Sequence, residues 1–580
     1  METLVNYRKN NNKILFSDFE KNRIFNTQNF IPIYKYFFSI TDKNYNSINL
    51  NQKYMIHKIL SYEENIHVKS KCIVIDNLNK ESNVNIFLKK APLIDPYYYI
   101  MGKYKKQPED FFKLPNLKNY NSLFKIHSEN NSSYVDGFFT FLTSKLKEDY
   151  NVVNCIQFYG SFLAYNNFKF DVFEDIDYLI KSEHFVKNQN VLFKIDDYTH
   201  LCCNIDINNN NNKKPSINVL SETNNISSDE IINLDLSTDI QPINKDKDLD
   251  SIIELNIDSF DLYTKENVSL LGINNCSRTT TTCSSRSSHT TLTECESDDE
   301  NCDSQEDTDS MSMSSTNDDS TTGTLEEPIF VTIDNFPINV ICSEKCEETL
   351  DYLINENMIK ENEWFAILMQ VIFTLIIFQK CFLFTHNDLH TENIMFVYTK
   401  EKYIYYKFNK KTYKVPTYGK IFKIIDFGRS IFKVNGKLIC SDEFKRDGNA
   451  YGQYNTEPFF NDSKSRLDPN YSFDLCRLAC CIFDYIVDDL DDLEKLKSKD
   501  PFVRLIDSWC RDDDGLLINY KKNGKERYSG FKYYKMISLK VHKHLPILQL
   551  IRPEFRKFEC SKVPSKNVNI IDIDNLPSMN

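Results

Sequence analysis

The sequence predicts a mixed α+β fold, in which a β-rich first part precedes a helical second part. Strand-like runs of apolar residues occupy residues 54–90. An apolar run of helix length spans 365–378, and an amphipathic pattern at 471–485 indicates a further helix. With 580 residues, the chain has room for two or more domains at the usual size of about 150 residues each.

Two polar motifs follow the run 365–378. The first reads His-Asn-Asp-Leu-His-Thr-Glu-Asn at 386–393, and the second reads Asp-Phe-Gly at 426–428. Each motif by itself is weak evidence in a chain of this length. Their order, the helix-length run before the first and the strand-like run 421–425 before the second make the pair specific. The competing interpretation is a buried helix followed by two ordinary polar turns.

With a third motif, the set resembles the eukaryotic-like protein kinase superfamily, and looks most like the divergent serine/threonine kinases of giant, mimivirus-like DNA viruses. The three motifs are His386-Asn-Asp-Leu-His-Thr-Glu-Asn-Ile-Met395, Lys423-Ile-Ile-Asp-Phe-Gly-Arg-Ser430 and Tyr471-Ser-Phe-Asp-Leu-Cys-Arg-Leu478. The resemblance covers most of residues 50–205 and 329–560. It implies a bilobal kinase fold, with a small β-rich lobe and a large helical lobe, and it implies ATP and Mg²⁺ as cofactors.

The resemblance also implies the chemical roles of three motif residues. Phosphoryl transfer depends mainly on positioning and on charge neutralisation. Asp388 is the expected catalytic base. The amide oxygen of Asn393 and the carboxylate of Asp426 are the expected magnesium ligands, because Mg²⁺ prefers hard oxygen donors.

Structural roles are expected for four further residues: His386, Phe427, Gly428 and Asp474. His386 is expected to pack near Phe427 rather than to titrate in the reaction. Asp474 is expected to anchor the backbone of the loop that contains the base. The alternative for Asp474 is an acid that is stabilised by the dipole of its own helix.

The strands predicted within residues 54–90 resemble the first sheet of a kinase small lobe. Their runs are 54–60, 67–75 and 84–90. The third run ends in two lysines, and the resemblance makes Lys89 the lysine that holds the nucleotide phosphates, with Lys90 as the alternative register. The competing interpretation is an edge lysine that points into water.

Two expected features of a small lobe are missing. Kinases cover the nucleotide phosphates with a glycine-rich loop, but the first glycine of this chain is Gly102, which follows Lys89. A helix should also supply a glutamate that pairs with this lysine, and the candidate helix is 134–149. Its acids lie only at its ends, so the sequence identifies no partner for Lys89; these acids are Asp136, Glu148 and Asp149.

Three departures concern the helical part. Asn387 replaces the usual arginine, so control through a phosphate clamped by that arginine is not expected. His390 stands where serine/threonine kinases carry a lysine, and we expect it to steady the transferred phosphate with a partial charge near neutral pH. The alternative is a neutral histidine that hydrogen-bonds the loop backbone. No Ala-Pro-Glu triplet follows, and Thr-Glu-Pro at 456–458 is the nearest match.

The predicted function is ATP- and Mg-dependent phosphoryl transfer to protein serine or threonine hydroxyls, with Asp388 as the base. Two alternatives are open. The missing glycine-rich loop favours a pseudokinase or a scaffold. The Asp-x-His pattern of Asp388 and His390 is also similar to haspin-like kinases and to aminoglycoside and choline phosphotransferases, which leaves a small-molecule acceptor open.

Composition changes sharply within residues 206–328, where Asn, Ser and Thr dominate. This stretch contains 26 acidic and 7 basic residues, a net charge of −19, whereas the whole chain carries −13. Because it has little apolar surface to bury, we predict a disordered insertion. The predicted organisation is an N-terminal extension (1–50), the first part of the small lobe (51–205), the insertion (206–328), the last small-lobe strand (329–342), the large lobe (343–560) and a C-terminal tail (561–580). The last fifteen residues are expected to form a loose tail.

Charge and apolar patterns also limit the partners. Outside the insertion the net charge is +6, which suits a nucleotide but indicates no nucleic-acid groove. The run 365–384 is interrupted by Gln370 and Gln379-Lys380, so a core helix is predicted rather than a membrane span. The N-terminus lacks the apolar core of a signal peptide, and the 17 cysteines show no metal-ligand spacing. We expect an intracellular protein, in the host cytoplasm or the virion if viral, whose protein substrate and oligomeric state the sequence does not identify.

Overall fold

The computed structural model describes residues 4–63, 69–104, 112–118, 123–198, 328–561 and 568–579. The helices are α1 (Lys13–Lys21), α2 (Pro96–Ile100), α3 (Phe124–His127), α4 (Ser132–Tyr150), α5 (Ile176–Leu179), α6 (Glu183–Asn188), α7 (Leu350–Asn355), α8 (Trp364–Phe382), α9 (Phe473–Ile486), α10 (Leu493–Lys499), α11 (Pro501–Trp509), α12 (Lys532–Lys540), α13 (Pro546–Gln549) and α14 (Pro553–Arg556).

The strands are β1 (Tyr7–Lys9), β2 (Phe25–Gln28), β3 (Ile48–Leu50), β4 (Met55–Glu63), β5 (Lys69–Ile75), β6 (Glu81–Pro92), β7 (Phe158–Asp171), β8 (Lys194–Ile195), β9 (Phe330–Glu344), β10 (Ile394–Tyr398), β11 (Tyr403–Phe408), β12 (Lys411–Pro416), β13 (Lys420–Ile424), β14 (Ile431–Val434), β15 (Lys437–Cys440), β16 (Glu559–Cys560) and β17 (Ile570–Asp572). Strands predominate before residue 345 and helices after it. The predicted α+β class, with its β-rich first part, is therefore confirmed.

One antiparallel sheet organises the N-terminal part, with strand order β2-β7-β9-β6-β5-β4 and with β8 paired to β9. The three strands predicted within residues 54–90 are β4, β5 and β6. Successive side chains on a strand point to opposite faces of its sheet. Lys90 lies over the ring of Tyr62, whereas Lys89 points from the other face toward the C-terminal part. Lys89 is thus the lysine that reaches the motif residues.

The predicted insertion falls between two strands that are neighbours in this sheet. The chain leaves the sheet after β8 and returns in β9, and Lys194 and Ile195 pair with Thr332 and Val331. The insertion at 206–328 lies outside the described residues, apart from Pro328. The predicted N-terminal extension belongs to the same sheet, because its strand β2 pairs with β7.

Helix α4 lies between the sheet and the C-terminal part and is buried along most of its length. It begins after Asn131, whose side chain accepts a hydrogen bond from the amide of Ser133. The ring of Phe139, in the middle of α4, lies 4.8 Å from that of Phe427 and 4.3 Å from that of Phe384. Helix α4 and the motif residues therefore share one hydrophobic core.

Helix α8 contains the apolar run that precedes the first motif. Among the described helices it is the one that is long and apolar enough to cross a membrane, but 89% of its most apolar window is buried inside the protein. Phe373 stacks on Tyr406 of β11 at a centroid separation of 4.2 Å, and Phe378 packs edge-on against Phe139. This burial fits the predicted core helix.

A second sheet, with strand order β16-β12-β11-β17, belongs to the C-terminal part. Its hairpin β11–β12 lies in the stretch between the first two motifs. The prediction of a loose tail is wrong for residues 568–579, because β17 pairs in parallel with β11 and the amide of Met579 donates to the carbonyl of Cys381. The apolar residues Ile571 and Ile573 are buried there, which gives the tail a reason to pack.

Candidate active site

A lysine and two aspartates from three separate elements meet between the two parts of the chain. Lys89 Nζ of β6 lies 2.8 Å from Asp136 Oδ2 of α4 and 2.8 Å from Asp426 Oδ1, which follows β13. Burial alone would lower the pKa of Lys89, but the two carboxylates outweigh it and the pKa is raised. The lysine is therefore charged and bridges the sheet, the helix and the second motif.

Asp136 is the partner of Lys89 that the sequence left unidentified. It lies one turn into α4, and its side chain is 5% exposed. Its second oxygen, Oδ1, accepts a hydrogen bond of 2.9 Å from the amide of Phe427. Burial raises the pKa of Asp136, and Lys89 opposes that shift. The signal in the sequence is an acid near the start of the helix, whereas the kinase pattern predicts a mid-helix glutamate.

Asp426 and Asn393 carry the side-chain oxygens that could act as metal ligands at this site. The Asp426 side chain is 43% exposed, and its charge is stabilised because Lys89 and its hydrogen bond outweigh the effect of burial and lower its pKa. Asn393 Nδ2 donates to the carbonyl of Asp388 at 2.9 Å and lies 3.0 Å from His390 Nε2. With Nδ2 directed into the loop, Oδ1 is the atom of Asn393 that could ligate a cation.

This donor set fits Mg²⁺ that arrives with a nucleotide. Within the described ranges there is no group of three or more His, Cys, Asp and Glu residues that could hold a metal alone. Mg²⁺ is commonly bound by one or two protein oxygens together with phosphate oxygens and water. Asp426 and Asn393 could supply such a partial set, and Lys89 could supply a cation for phosphates.

The expected base, Asp388, has both carboxylate oxygens engaged. The hydroxyl of Tyr534 donates to Oδ1 at 2.7 Å, and Arg429 Nη1 lies 3.1 Å from Oδ2. Burial alone would raise the pKa of Asp388, but the positive charge of Arg429 and the hydrogen bond from Tyr534 lower it to about 2. The carboxylate is therefore ionised near neutral pH, and each oxygen keeps a lone pair for a further donor.

Tyr534, on α12, is a site residue that sequence reasoning missed. Its hydroxyl also accepts a hydrogen bond of 3.1 Å from Arg477 Nε, and the Arg429 guanidinium lies 5.6 Å from its ring centroid. The tyrosine lies 146 residues from Asp388 in the chain. No local pattern signals such a contact, since only the folded C-terminal part brings α12 beneath the loop.

The backbone of this loop is held by Asp474. Its two oxygens accept hydrogen bonds from the amides of His386 and Asn387, both at 2.9 Å, and its side chain is fully buried at the start of α9. Asp474 therefore fixes the backbone of this loop at His386 and Asn387, as predicted. His386 in turn contacts the carbonyl of Ile425 at 2.9 Å through Nε2, and its ring centroid lies 5.8 Å from that of Phe427.

Two residues of the motifs adopt left-handed backbone conformations, which ordinary side chains rarely do. The φ angle is 65° at Asn387 and 61° at Asp426. Asn and Asp enter this region more readily than other side chains, and most of the other positive φ angles at non-glycine residues in the described chain are also at Asn residues. Gly428 shows no such need, because a Cβ there would make ordinary contacts of 3.5 Å with Asp426 and 3.8 Å with Ser132.

The side chain of Asn387 is fully engaged by neutral groups. Its Nδ2 donates to the carbonyls of Thr385 and Arg429, and its Oδ1 accepts from the hydroxyl of Tyr454 at 2.8 Å. A phosphate would find no cation at this position.

His390 is buried, with 1% of its side chain exposed. Its Nε2 lies 3.0 Å from Asn393 Nδ2, and its Nδ1 has no hydrogen bond among the described residues. Burial lowers the pKa of His390 to about 4, so the ring is neutral at pH 7 and accepts from Asn393. This geometry favours the alternative of a neutral histidine, with the Asn393 side chain as its partner.

A second ionic cluster lies at the other end of α4. Glu344 Oε2 at the end of β9 is 2.6 Å from Lys147 Nζ and 2.8 Å from Lys423 Nζ. Burial alone would raise the pKa of Glu344, but the two lysines lower it to about 2.

Kinases place the loop that covers the phosphates between the first two strands of the small lobe. Here that turn, between β4 and β5, lies at residues 64–68, outside the described residues.

Comparisons with known proteins give no name for this arrangement. The chain matches no protein-family profile and no curated protein. The kinase resemblance therefore depends on the motif residues and on the geometry that surrounds them.

Proposed function

We propose that this chain has a bilobal kinase-like fold and transfers the terminal phosphoryl group of ATP to serine or threonine hydroxyls of a protein. The observation that carries the proposal is the ion pair of Lys89 with Asp136 and Asp426. Protein kinases require a lysine paired to an acid of a helix, together with the metal-holding aspartate. Here a single lysine contacts both acids at 2.8 Å.

The proposed roles follow from the contacts. Lys89 binds phosphate oxygens, while Asp426 and Asn393 hold Mg²⁺, which neutralises the charge of the phosphates. Asp388 orients the acceptor hydroxyl and takes its proton. A carboxylate whose pKa is about 2 is a weak base, which suits a reaction whose transition state needs little deprotonation of the acceptor.

One observation favours a pseudokinase or scaffold instead. Both oxygens of Asp388 are already engaged, by Tyr534 and Arg429. A base held in this way binds an acceptor hydroxyl only through its remaining lone pairs. Nucleotide binding is common to both functions, so turnover decides between them.

The test separates binding from chemistry. Asp426→Ala should weaken Mg-dependent ATP binding at least tenfold, measured by titration calorimetry with and without Mg²⁺, because it removes the exposed carboxylate ligand. Asp388→Ala should leave ATP binding within about threefold and lower phosphate transfer to a serine/threonine peptide mixture by a factor of a hundred or more.

Asp491→Ala is the matched control, since Asp491 is exposed on the helical part and is remote in sequence from both motifs. Transfer by Asp388→Ala at the parent rate would end the kinase proposal. ATP binding without measurable transfer in the parent protein would favour the pseudokinase.

A further inference from the structure

The segment that follows the Asp-Phe-Gly motif folds back onto the start of helix α4. It forms the hairpin β14–β15 and then a turn at Asp442–Phe444. The amide of Asp442 donates to the carbonyl of Asn130 at 2.7 Å, and its Oδ1 accepts from the amide of Ser132 at 3.0 Å. The carboxylate thus satisfies an amide in the first turn of α4, where the helix dipole also favours negative charge.

Lys125 of α3 completes this contact. Its Nζ lies 3.2 Å from Asp442 Oδ1 and 2.8 Å from Glu443 Oε1, and the two acid side chains are 7% and 11% exposed. Burial raises the pKa of Asp442 to about 6, with Lys125 opposing, so both acids are mainly ionised at pH 7. Glu443 Oε2 also accepts from the amide of Asn449, which extends the contact along the segment.

The first turn of α4 determines where Asp136 lies. Asp136 follows Ser132 by one helical turn, and its carboxylate holds both Lys89 and the amide of Phe427. A displacement of the helix start would therefore move the acid that positions the lysine. Sub-ångström to ångström changes of this kind have large effects on rate, because transfer depends on alignment.

We propose that Asp442, Glu443 and Lys125 form a built-in latch that positions α4 and the segment after the motif for catalysis without phosphorylation. In many kinases a phosphate, with a charge of about −1.5 to −2, orders this segment through arginines. The two carboxylates here supply a similar charge against Lys125, and Asn387 offers no cation to a phosphate. The catalytic part of this inference rests on the proposed function.

The first readout is hydrogen exchange in the start of α4, which needs no activity. Asp442→Ala should speed exchange of the amides of residues 132–136 about tenfold, because the Ser132 amide loses its acceptor. Asp442→Asn keeps an acceptor oxygen and should restore most of the protection. Lys125→Met should speed exchange in both α4 and the turn, and Lys411→Met, which removes an exposed ion pair with Glu559, should change neither.

The second readout is turnover of ATP with a serine/threonine peptide mixture. Lys125→Met should lower kcat at least tenfold, while treatment of the parent protein with alkaline phosphatase, checked by mass spectrometry, should leave kcat within twofold. Unchanged exchange in Asp442→Ala would overturn the latch, as would a large loss of kcat on phosphatase treatment. If the parent shows no turnover, the proposed function fails while the exchange result still decides the latch.

Discussion

The two ends of helix α4 carry ionic clusters of opposite balance. The cleft trio has one cation and two acids: Lys89, Asp136 and Asp426. The distal trio has two cations and one acid: Lys147, Glu344 and Lys423. Both trios join α4 to the sheet and to the stretch 423–426, so the same three elements are tied together twice.

The difference between the trios indicates a division of labour, in which one trio has a structural role and the other a ligand-binding role. Acids near a helix N-terminus and bases near its C-terminus both complement the helix dipole, so each balance suits its end of α4. In the cleft trio, two acids face one lysine and Asp426 is exposed, so a further cation could bind there. In the distal trio, Lys423 is 1% exposed and donates to the carbonyl of Cys155, so its charge is not open to a ligand, while Lys147 and Glu344 are partly exposed. We infer that the distal trio holds the elements while the cleft trio receives the ligand.

The largest contrast is expected when one acid is neutralised in each trio. Glu344→Gln leaves Lys147 and Lys423 without a counter-charge, and should lower the free energy of unfolding by about 2–3 kcal/mol, less than for a fully buried pair because Glu344 is partly exposed. Asp136→Asn leaves the Lys89–Asp426 pair and still offers an oxygen to Phe427, so it should cost about 1 kcal/mol or less. Urea unfolding at pH 7 measures both.

For ATP binding, the expected order of the two variants is the opposite of that for stability. Asp136→Asn should weaken Mg·ATP binding about tenfold, because Lys89 loses its contact with α4. Folded Glu344→Gln should keep ATP affinity within threefold. Equal losses of stability in the two variants, or an unchanged ATP affinity in Asp136→Asn, would remove the division of labour.

The contrast also shows what local sequence patterns contain. The order and residue types of the motifs single out Asp388, Asn393 and Asp426, whose chemistry stays a prediction, and the strand pattern leaves Lys89 and Lys90 as alternatives. The strands and the core helix have clear apolar periodicity. Asp136 was missed because the expected partner was a mid-helix glutamate.

The distal trio and the latch were missed for a more general reason. Their charged residues are ordinary in the sequence, and they become partners only when β9, α4 and the segment after the motif are packed together. The carboxylate of Asp442 and the amide of Ser132, for example, are 310 residues apart. The tail was misjudged because short strands such as β17 form only when a free edge such as that of β11 is present.

A smaller effect on kcat is expected from a change at Tyr534, which contacts the proposed catalytic base Asp388. Tyr534→Phe removes the hydroxyl that orients Asp388 Oδ1, and should lower kcat about tenfold, or about 1.4 kcal/mol of activation free energy, with KM for ATP within twofold. Because that hydrogen bond also lowers the pKa of Asp388, the acid limb of the pH–rate profile should move to higher pH. Tyr533→Phe removes a neighbouring hydroxyl of α12 and should leave both quantities unchanged. Faster turnover in Tyr534→Phe would instead indicate that Tyr534 blocks the base.

The smallest effect is expected from removing the surplus cation of the distal trio. Burial and the neighbouring Lys423 lower the pKa of Lys147 to about 8, below its ordinary value of 10.5. Between about pH 8 and 10.5 the unfolded chain therefore binds more protons at this residue than the folded chain does. Lys147 therefore contributes an increase in the free energy of unfolding with pH in that window, whereas buried cysteines such as Cys155, whose pKa burial raises, contribute a decrease.

Lys147→Met keeps the apolar stem, leaves Glu344 paired with Lys423, and should change the free energy of unfolding at pH 7 by no more than about 1 kcal/mol. The free energy of unfolding of the parent protein minus that of Lys147→Met should increase between pH 8 and 10.5, whereas the same difference taken with Lys411→Met should stay constant. Urea unfolding at pH 7, 9 and 10 measures both quantities. A loss above about 2 kcal/mol at pH 7 would mean that Glu344 needs both lysines. The distal trio would then be a unit in which all three charges stabilise the fold, rather than an ion pair with a surplus lysine.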